Sequence, residues 1–564
     1  MNFEDGSSAH TLARDSLAPA NRAFKQSLFA MLGIGTVNML VALDQTVVST
    51  ALPSIVSDLS GFEYYAWIAN AYLLASIVSV PIFGRLGDFF GRKPFLLTAI
   101  ATFTIASTLC GIANSMLFLV AARALQGIGG GMMVGTAYAS VPDLFPDARS
   151  RVRWQVVLST MYGVGTSIGP TLGGFLTEHL GWRSTFLINL PVGLVGLALV
   201  LKFLPRMTHR DMQSGQKVQL DLWGATLIAA MLILMQLCLE RFPSSGLTEA
   251  NALLGFLLLV CIPAFLFVES RHPNAIMPLD LFKEADFVKL LVLSILAGMG
   301  LFSLLFFIPL LLQAGFGLPP EQAGILATPL AACSALGSVI NTRIVVKLKR
   351  PVLTLTFGFS LMLLAALGVL TVNASTSHLV LTTSVVLAGI GIGFCLNNMN
   401  VFGHNIVGRE RFGIATALLQ SSRMIGGMLG TTLMGLVVTH SYIYAMRAKI
   451  DIGLVPNSLS QVESTLLDPQ LLVDETSQRK VFELFKLASY DGHGVLSVAR
   501  EVMVHSVHIA VGITLVAALA GTLLSVKLLH ITLAGRGEQG KRRNSPQSRA
   551  STTSGTSEQR VEDK

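Results

Sequence analysis

An aspartate inside an unbroken apolar stretch is the first feature of this sequence that can do chemistry. Asp44 sits in Leu43-Asp44-Gln45-Thr46-Val47-Val48-Ser49-Thr50-Ala51-Leu52-Pro53, past the midpoint of an apolar run that begins near residue 28. A carboxylate in hydrocarbon is costly unless it faces a cavity or a partner. Such an acid either carries a proton or is fixed by a bond to a neighbouring helix. A base lies in a comparable setting. Arg123, in Leu119-Val120-Ala121-Ala122-Arg123-Ala124-Leu125-Gln126-Gly127, is about two turns from the end of its own apolar run. A guanidinium favours the ionised carboxylate, whereas burial favours the neutral acid. A pocket that opens and closes can therefore load and release a proton; a fixed salt bridge is the alternative reading. Arg423, near the middle of a later run, is either a structural tie to the opposite half of the molecule or a further coupling residue.

The elements that must hold these residues are membrane helices. Of 564 residues, 52% are hydrophobic and 13% charged, against roughly 25% charged in soluble proteins. Mean hydropathy is +0.64. Apolar runs of about 20 residues recur, and in a bilayer only helices satisfy their own backbone at such lengths. The spacing predicts an all-α polytopic membrane protein with spans near 28–52, 66–84, 94–113, 117–141, 155–177, 184–203, 221–240, 250–269, 287–312, 321–346, 352–371, 378–402, 412–440 and 504–528.

Loop charge orients these fourteen spans. With the N-terminus in the cytoplasm, the inside loops carry Arg85/Arg92/Lys93, Arg149/Arg151/Arg153, Lys202/Arg206/Arg210/Lys217, Arg271/Lys283, Lys347/Lys349/Arg350 and Arg409/Arg411, and the C-terminal tail Lys541, Arg542 and Arg543. The short outside loops near 61–65, 114–116, 313–320 and 372–377 carry no Lys or Arg. That alternation is the positive-inside pattern. It places Asp44 and Arg123 in the same, outer half of the membrane and both termini in the cytoplasm.

Glycines punctuate the chain at several points. Gly84-Arg85-Leu86-Gly87-Asp88-Phe89-Phe90-Gly91-Arg92-Lys93 reads as a tight charged turn between two spans, with Asp88 paired locally or set at a helix N-terminus. Gly163-Val164-Gly165-Thr166-Ser167-Ile168-Gly169-Pro170-Thr171-Leu172-Gly173-Gly174 is too glycine-rich for a soluble helix, but it lets membrane helices pack backbone to backbone. A faint repeat joins the two ends of the chain. Arg92-Lys93-Pro94 recurs as Lys349-Arg350-Pro351, Gly127-Ile128-Gly129 as Gly389-Ile390-Gly391, and Gly165/Gly169 as Gly426/Gly430. In the second copy Val345 stands where Asp88 would be. The expected order is a cytoplasmic tail 1–27, a six-helix half 28–203, an inserted helical pair 221–269, a second half 287–528 containing an extracytoplasmic loop 441–503, and a cytoplasmic tail 529–564.

Together these stretches resemble the major facilitator superfamily, and within it the fourteen-span drug:proton antiporter-2 group. Gly84 to Lys93 fills every position of the G-x-x-x-D-x-x-G-R-[RK] loop. The resemblance implies a conformational latch formed by Gly84, Asp88, Gly91, Arg92 and Lys93. The stretch around Asp44 is similar to the L-D-x-T-[IV]-[IV]-x-x-A-L-P motif, and that around Arg123 to the fourth-helix motif whose Arg is tied to proton transfer. Gly165, Gly169, Pro170, Gly173 and Gly174 fill the antiporter motif G-x-x-x-G-P-x-x-G-G, which implies an exporter. Trp182-Arg183-Ser184-Thr185-Phe186-Leu187-Ile188-Asn189-Leu190-Pro191-Val192-Gly193 resembles a further stretch of the same group, and Asp221-Leu222-Trp223-Gly224 its entry to the inserted pair. The implied function is exchange of an inward proton for an outward hydrophobic or cationic compound, with Asp44 as proton site, Arg123 as its tuner, and spans one, four, nine and twelve lining the cavity. An exporter dedicated to one natural metabolite, and a non-transporting sensor or scaffold, are the alternatives. In double-membraned cells the resemblance also permits a periplasmic adaptor and an outer-membrane channel as partners.

Other chemistries find little support. No Walker A pattern occurs, and Gly389-x-Gly391-x-Gly393 lies in an apolar span with no strand before it, so nucleotide binding is not expected. The net charge of +8 sits in loops beside apolar spans and is no nucleic-acid footprint. Cys110, Cys238, Cys261, Cys333 and Cys395 show neither metal spacing nor a disulfide framework. His505 and His508 open the last span one turn apart and read as interfacial histidines. No cofactor, metal or enzymatic activity is expected.

Overall fold

The computed structural model describes residues 6–137, 140–145, 147–205, 221–246, 248–272, 276–345, 347–373, 378–407, 412–451, 460–487 and 492–528. Side chains of the first helix are described from Gln26 onward, and those of Arg85 and Asp88 lie outside the description. The long helices are α1 (Gly6–Leu59), α2 (Tyr65–Phe90), α3 (Arg92–Gly111), α4 (Met116–Ala137) and α5 (Ala148–Leu180). There follow α6 (Arg183–Phe203), α7 (Leu222–Ser245), α8 (Glu249–Arg271), α9 (Ala285–Gly315) and α10 (Pro320–Val345). The last are α11 (Leu353–Val369), α12 (His378–Val407), α13 (Phe412–Lys449) and α14 (Gly492–Val526).

Twelve of these are long and apolar enough to cross a bilayer. α11 is a shorter apolar helix, and α5 runs for 33 residues, roughly 50 Å at 1.5 Å per residue. Each predicted span falls on one of them, and no strand occurs among the described residues. The fold is therefore the all-helical membrane bundle that the apolar spacing predicts.

Packing follows a pattern that repeats eight helices later. α1 packs on α5 and α6, α2 on α4, and α3 on α4 and α6; α9 packs on α13 and α14, α10 on α12, and α11 on α12 and α14. The two groups meet along α5 with α10 and α2 with α13. α7 and α8 pair with each other, and α7 also touches α2 and α13.

Three boundaries differ from the sequence reading. The Gly84–Lys93 stretch is not an extended turn. α2 continues through Phe90, because a helix needs no apolar side chains to go on forming backbone bonds, and the reversal is confined to Gly91 at φ +82°. Asp88 thus lies in the last turns of α2 rather than at a helix N-terminus. At the other end, α13 runs on to Lys449 and α14 begins at Gly492, so helix occupies both flanks of segment 441–503. Between them, short helices at Ser460–Leu466 and Glu475–Leu487 bury Leu466, Val481 and Phe485. The loop charges at Arg206, Arg210, Lys217, Arg409, Arg411, Lys541, Arg542 and Arg543 lie outside the described residues.

Candidate functional site

Close helix approach builds the site. Gly127, Gly131 and Gly135 share one face of α4. A Cβ on Gly131 would stand 2.7 Å from the Ser79 Cβ, and one on Gly135 2.6 Å from the Val80 carbonyl and 3.1 Å from Gly84 N. α4 therefore lies almost backbone to backbone on α2. That contact lays Arg123 on α2, its guanidinium carbon 4.6 Å from the centre of the Tyr72 ring and its Nε donating to the Ile68 carbonyl at 3.2 Å.

From there Arg123 reaches α1. Its Nη1 donates to Asp44 Oδ2 at 2.8 Å and to Gln126 Oε1 at 2.8 Å. Asp44 Oδ1 accepts two further bonds, from Gln126 Nε2 at 2.7 Å and from Asn189 Nδ2 at 2.9 Å. Asn189 Nδ2 also donates to Ser107 Oγ at 2.9 Å, and the Ser107 hydroxyl donates to the Phe186 carbonyl at 2.9 Å. Asp44, Gln126 and Asn189 are 0% exposed and Arg123 1%. Three donors converge on the two oxygens, which is the environment of an ionised carboxylate. Five helices supply the cluster: α1, α2, α3, α4 and α6.

Sequence reading brought Asp44 and Arg123 to the same depth; the structure puts them in direct contact. It missed Gln126, Asn189, Ser107 and Tyr72 as members of the site. Gln126 stands three residues after Arg123, the spacing that puts both on one helix face. Asn189 is an amide inside an apolar run. Those were the available signals.

The antiporter-motif residues form a joint rather than a pocket. Gly165 faces the Met39 carbonyl, where a Cβ would stand at 2.7 Å, Gly169 faces Thr46, and Gly173 faces Val47 and Thr50, so α5 lies directly on α1. Gly174 turns the other way, onto the Pro320 carbonyl of α10, and Gly324 of α10 answers against the Pro170 carbonyl. Thr171 and Thr328 share a hydroxyl hydrogen bond of 2.6 Å at this crossing.

In the Gly84–Lys93 stretch, Lys93 Nζ donates to the carbonyls of Leu201 and Leu204 at 2.7 and 2.6 Å, capping the end of α6. Gly84 lies beside Gly135 of α4. The side chain of Asp88 lies outside the described residues. Arg423 donates to Gln420 on its own helix and is half-buried, while its carbonyl abuts Gly298 of α9.

A second polar cluster crosses the bundle at the end that holds Gly61. Thr431 Oγ1 donates to Asn70 Oδ1 at 2.5 Å, Asn70 Nδ2 to Thr432 Oγ1 at 2.8 Å, and Thr432 Oγ1 to Gln236 Oε1 at 2.8 Å. Trp67 Nε1 donates to Glu240 at 2.5 Å. At the same end Tyr65 Oη donates to the Phe306 carbonyl, Gln313 Nε2 to the Thr50 carbonyl, and Gly61 N to Gln470. These bonds tie the two groups of helices together at the Gly61 end.

A many-helix apolar bundle with an ion pair sealed inside it is a polytopic membrane protein. This chain belongs to the Major Facilitator Superfamily, a family of membrane transporters, which it matches over residues 34–431. It is 33% identical over 401 residues to the multidrug transporter protein MdtP of Bacillus subtilis (strain 168), covering 70% of this chain and 72% of that one. It is 31% identical over 412 residues to the tetracenomycin C resistance and export protein of Streptomyces glaucescens, covering 72% and 75%. Among solved structures it is similar in fold to a bacterial homologue of the human lysosomal transporter Spinster in an inward-facing, unoccupied conformation. The TM-score there is 0.58 at 17% identity, covering 89% of this chain and 98% of that one.

Proposed function

We propose that this chain is a proton-coupled antiporter of the fourteen-span drug:proton antiporter-2 group, exporting hydrophobic or cationic compounds across the cytoplasmic membrane. The observation that carries this reading is the buried Asp44–Arg123 pair. A charge sealed within apolar helices is tolerated where it has a task or a partner, and this one has an ionisable group able to alternate with the neutral form. The exporting direction rests on the names of the relatives, one a multidrug transporter and one a resistance and export protein, and on the complete Gly165-to-Gly174 motif.

In this reading α1–α6 and α9–α14 are two halves that rock about the α5–α10 and α2–α13 seams, with the inserted pair α7–α8 beside them. The charged Gly91 end faces the cytoplasm with both termini, and the two halves are tied to each other at the opposite, Gly61 end. Gly84, Asp88, Gly91, Arg92 and Lys93 act as the latch, Arg423 supports the α9–α13 packing, and α1, α4, α9 and α12 line the substrate path. The tetracenomycin relative favours a second reading, an exporter dedicated to one natural product with the same coupling. A periplasmic adaptor and outer-membrane channel would have to meet the short helices of segment 441–503.

Uptake into everted membrane vesicles tests the reading. Accumulation of several lipophilic cations and antibiotics, each abolished by a protonophore, is the expected result. Accumulation of one compound alone supports the dedicated exporter, and protonophore-insensitive uptake contradicts both.

A further inference from the structure

The three donors on Asp44 differ in what they can do once the carboxylate takes a proton. Arg123 has donors only, so it cannot accept a hydrogen bond from a carboxyl group. Gln126 has an acceptor, but its Oε1 already takes a bond from Arg123 Nη1 at 2.8 Å and one from Cys110 Sγ at 3.5 Å. Asn189 is the exception. Its Nδ2 bonds Asp44 and Ser107, while its Oδ1 is buried with no hydrogen-bond partner. A buried acceptor without a partner is unfavourable, and this one sits on the amide that touches the ionisable group.

We propose that Asn189 is the proton-state partner of Asp44. When Asp44 is ionised, Nδ2–H donates to Oδ1 of the carboxylate. When Asp44 takes a proton on that oxygen, the amide turns about its Cβ–Cγ bond and presents its own Oδ1, which accepts the new O–H. No bond other than O–H forms or breaks, and the proton stays on Asp44 until the carboxyl ionises again. Asn189 follows Ile188, where the hydrogen-bond run of α6 is interrupted for one residue while the backbone stays right-handed helical (φ −63°, ψ −24°). The turned amide brings its Oδ1 to Ser107 Oγ, and the Ser107 hydroxyl donates to it by giving up its bond to the Phe186 carbonyl. The titratable groups around Asp44 are Arg123 on α4, Tyr72 on α2 and Cys110 on α3, with Tyr162 of α5 beyond Tyr72.

This inference rests on Asp44 being the proton site, and one experiment separates the two claims. Infrared difference spectra of the reconstituted protein, taken between high and low pH, read the carboxyl C=O stretch directly. The wild type is expected to show a protonated-carboxyl band that disappears in Asp44→Asn. In Asn189→Leu, the same band moves to higher frequency, because the carboxyl has lost its hydrogen-bond partner. Val192→Ala, one turn along α6 and packed outside the cluster, keeps the wild-type frequency and controls for loosened packing. A band that Asp44→Asn removes but Asn189→Leu leaves unmoved overturns the role of Asn189 alone. Absence of any titrating band in the wild type overturns the proton site and this inference with it.

Discussion

The six helices α1–α6 and the six helices α9–α14 pack in the same pattern, yet only the first group buries an ion pair at this position. Setting Gly127 against Gly389 puts Arg123 opposite Val385 and Gln126 opposite Ala388, both apolar and buried. Near the Gly91 end the exchange runs differently. Gly84 meets Gly135 backbone to backbone, while the matching positions near Asn341 and Asn398 hold a reciprocal amide pair, each Nδ2 to the other's Oδ1 at 3.0 Å, joined by Thr354 at 2.5 Å. Both solutions hold helices together. At the positions matching Arg123 and Gln126 the second group packs through Val385 and Ala388, so the packing plan does not require a charge there. Charge that the scaffold can do without is best explained by chemistry.

The comparison breaks most visibly at Arg123. Arg123→Leu strands a buried carboxylate, and removing one partner of a buried pair costs about 3–5 kcal/mol. The variant is expected to melt far below wild type in detergent, and Arg123→Leu combined with Asp44→Asn should regain most of the loss. Equal instability of single and double variants would show that Arg123 holds the fold through Tyr72 and Ile68 rather than through Asp44. Next comes Gly173→Val on α5, where a side chain must push against Val47 and Thr50 of α1; overpacking costs roughly 1–3 kcal/mol. Here transport should fall more than thermal stability, because the joint between α1, α5 and α10 is displaced.

In the other group, Asn398→Leu leaves the Asn341 amide without its partner and removes a donor to Thr354, a loss of about 1–3 kcal/mol. It should lower the melting temperature while leaving the number of protons exchanged per substrate unchanged. A changed proton count would erase the contrast between the two groups. The smallest effect is expected at the Gly61 end. Thr432→Val removes links to Asn70 and Gln236, and hydrogen bonds between membrane helices average roughly 0.6 kcal/mol. Spin labels placed on the ends of α2 and α13 should report a modest gain of the form open at the Gly61 end. An unchanged distance distribution would mean that Tyr65 and Gln313 tie that end alone.

The helices themselves were legible, because twenty apolar residues in lipid leave the backbone one common solution. Asp44 and Arg123 were legible for the converse reason: a charge in such a run conflicts with its surroundings and stands out. Asn189 and Gln126 were not, since an amide in a membrane helix is cheap enough to pass as packing, and its partners lie on helices distant in sequence. The end of α2 was misjudged because apolarity marks where a span leaves hydrocarbon, not where its backbone stops being helical. Nor does spacing reveal that Gly174 and Gly324 face each other's helices; that contact needs the α5–α10 crossing.

Proton release driven by substrate, measured in reconstituted vesicles for wild type and Asp44→Asn, tests the central claim most directly. The account predicts proton signals with transported compounds in the wild type, and none in Asp44→Asn even where the compound still binds. Undiminished proton signals in Asp44→Asn would contradict it and remove the Asp44–Arg123 pair from the coupling mechanism.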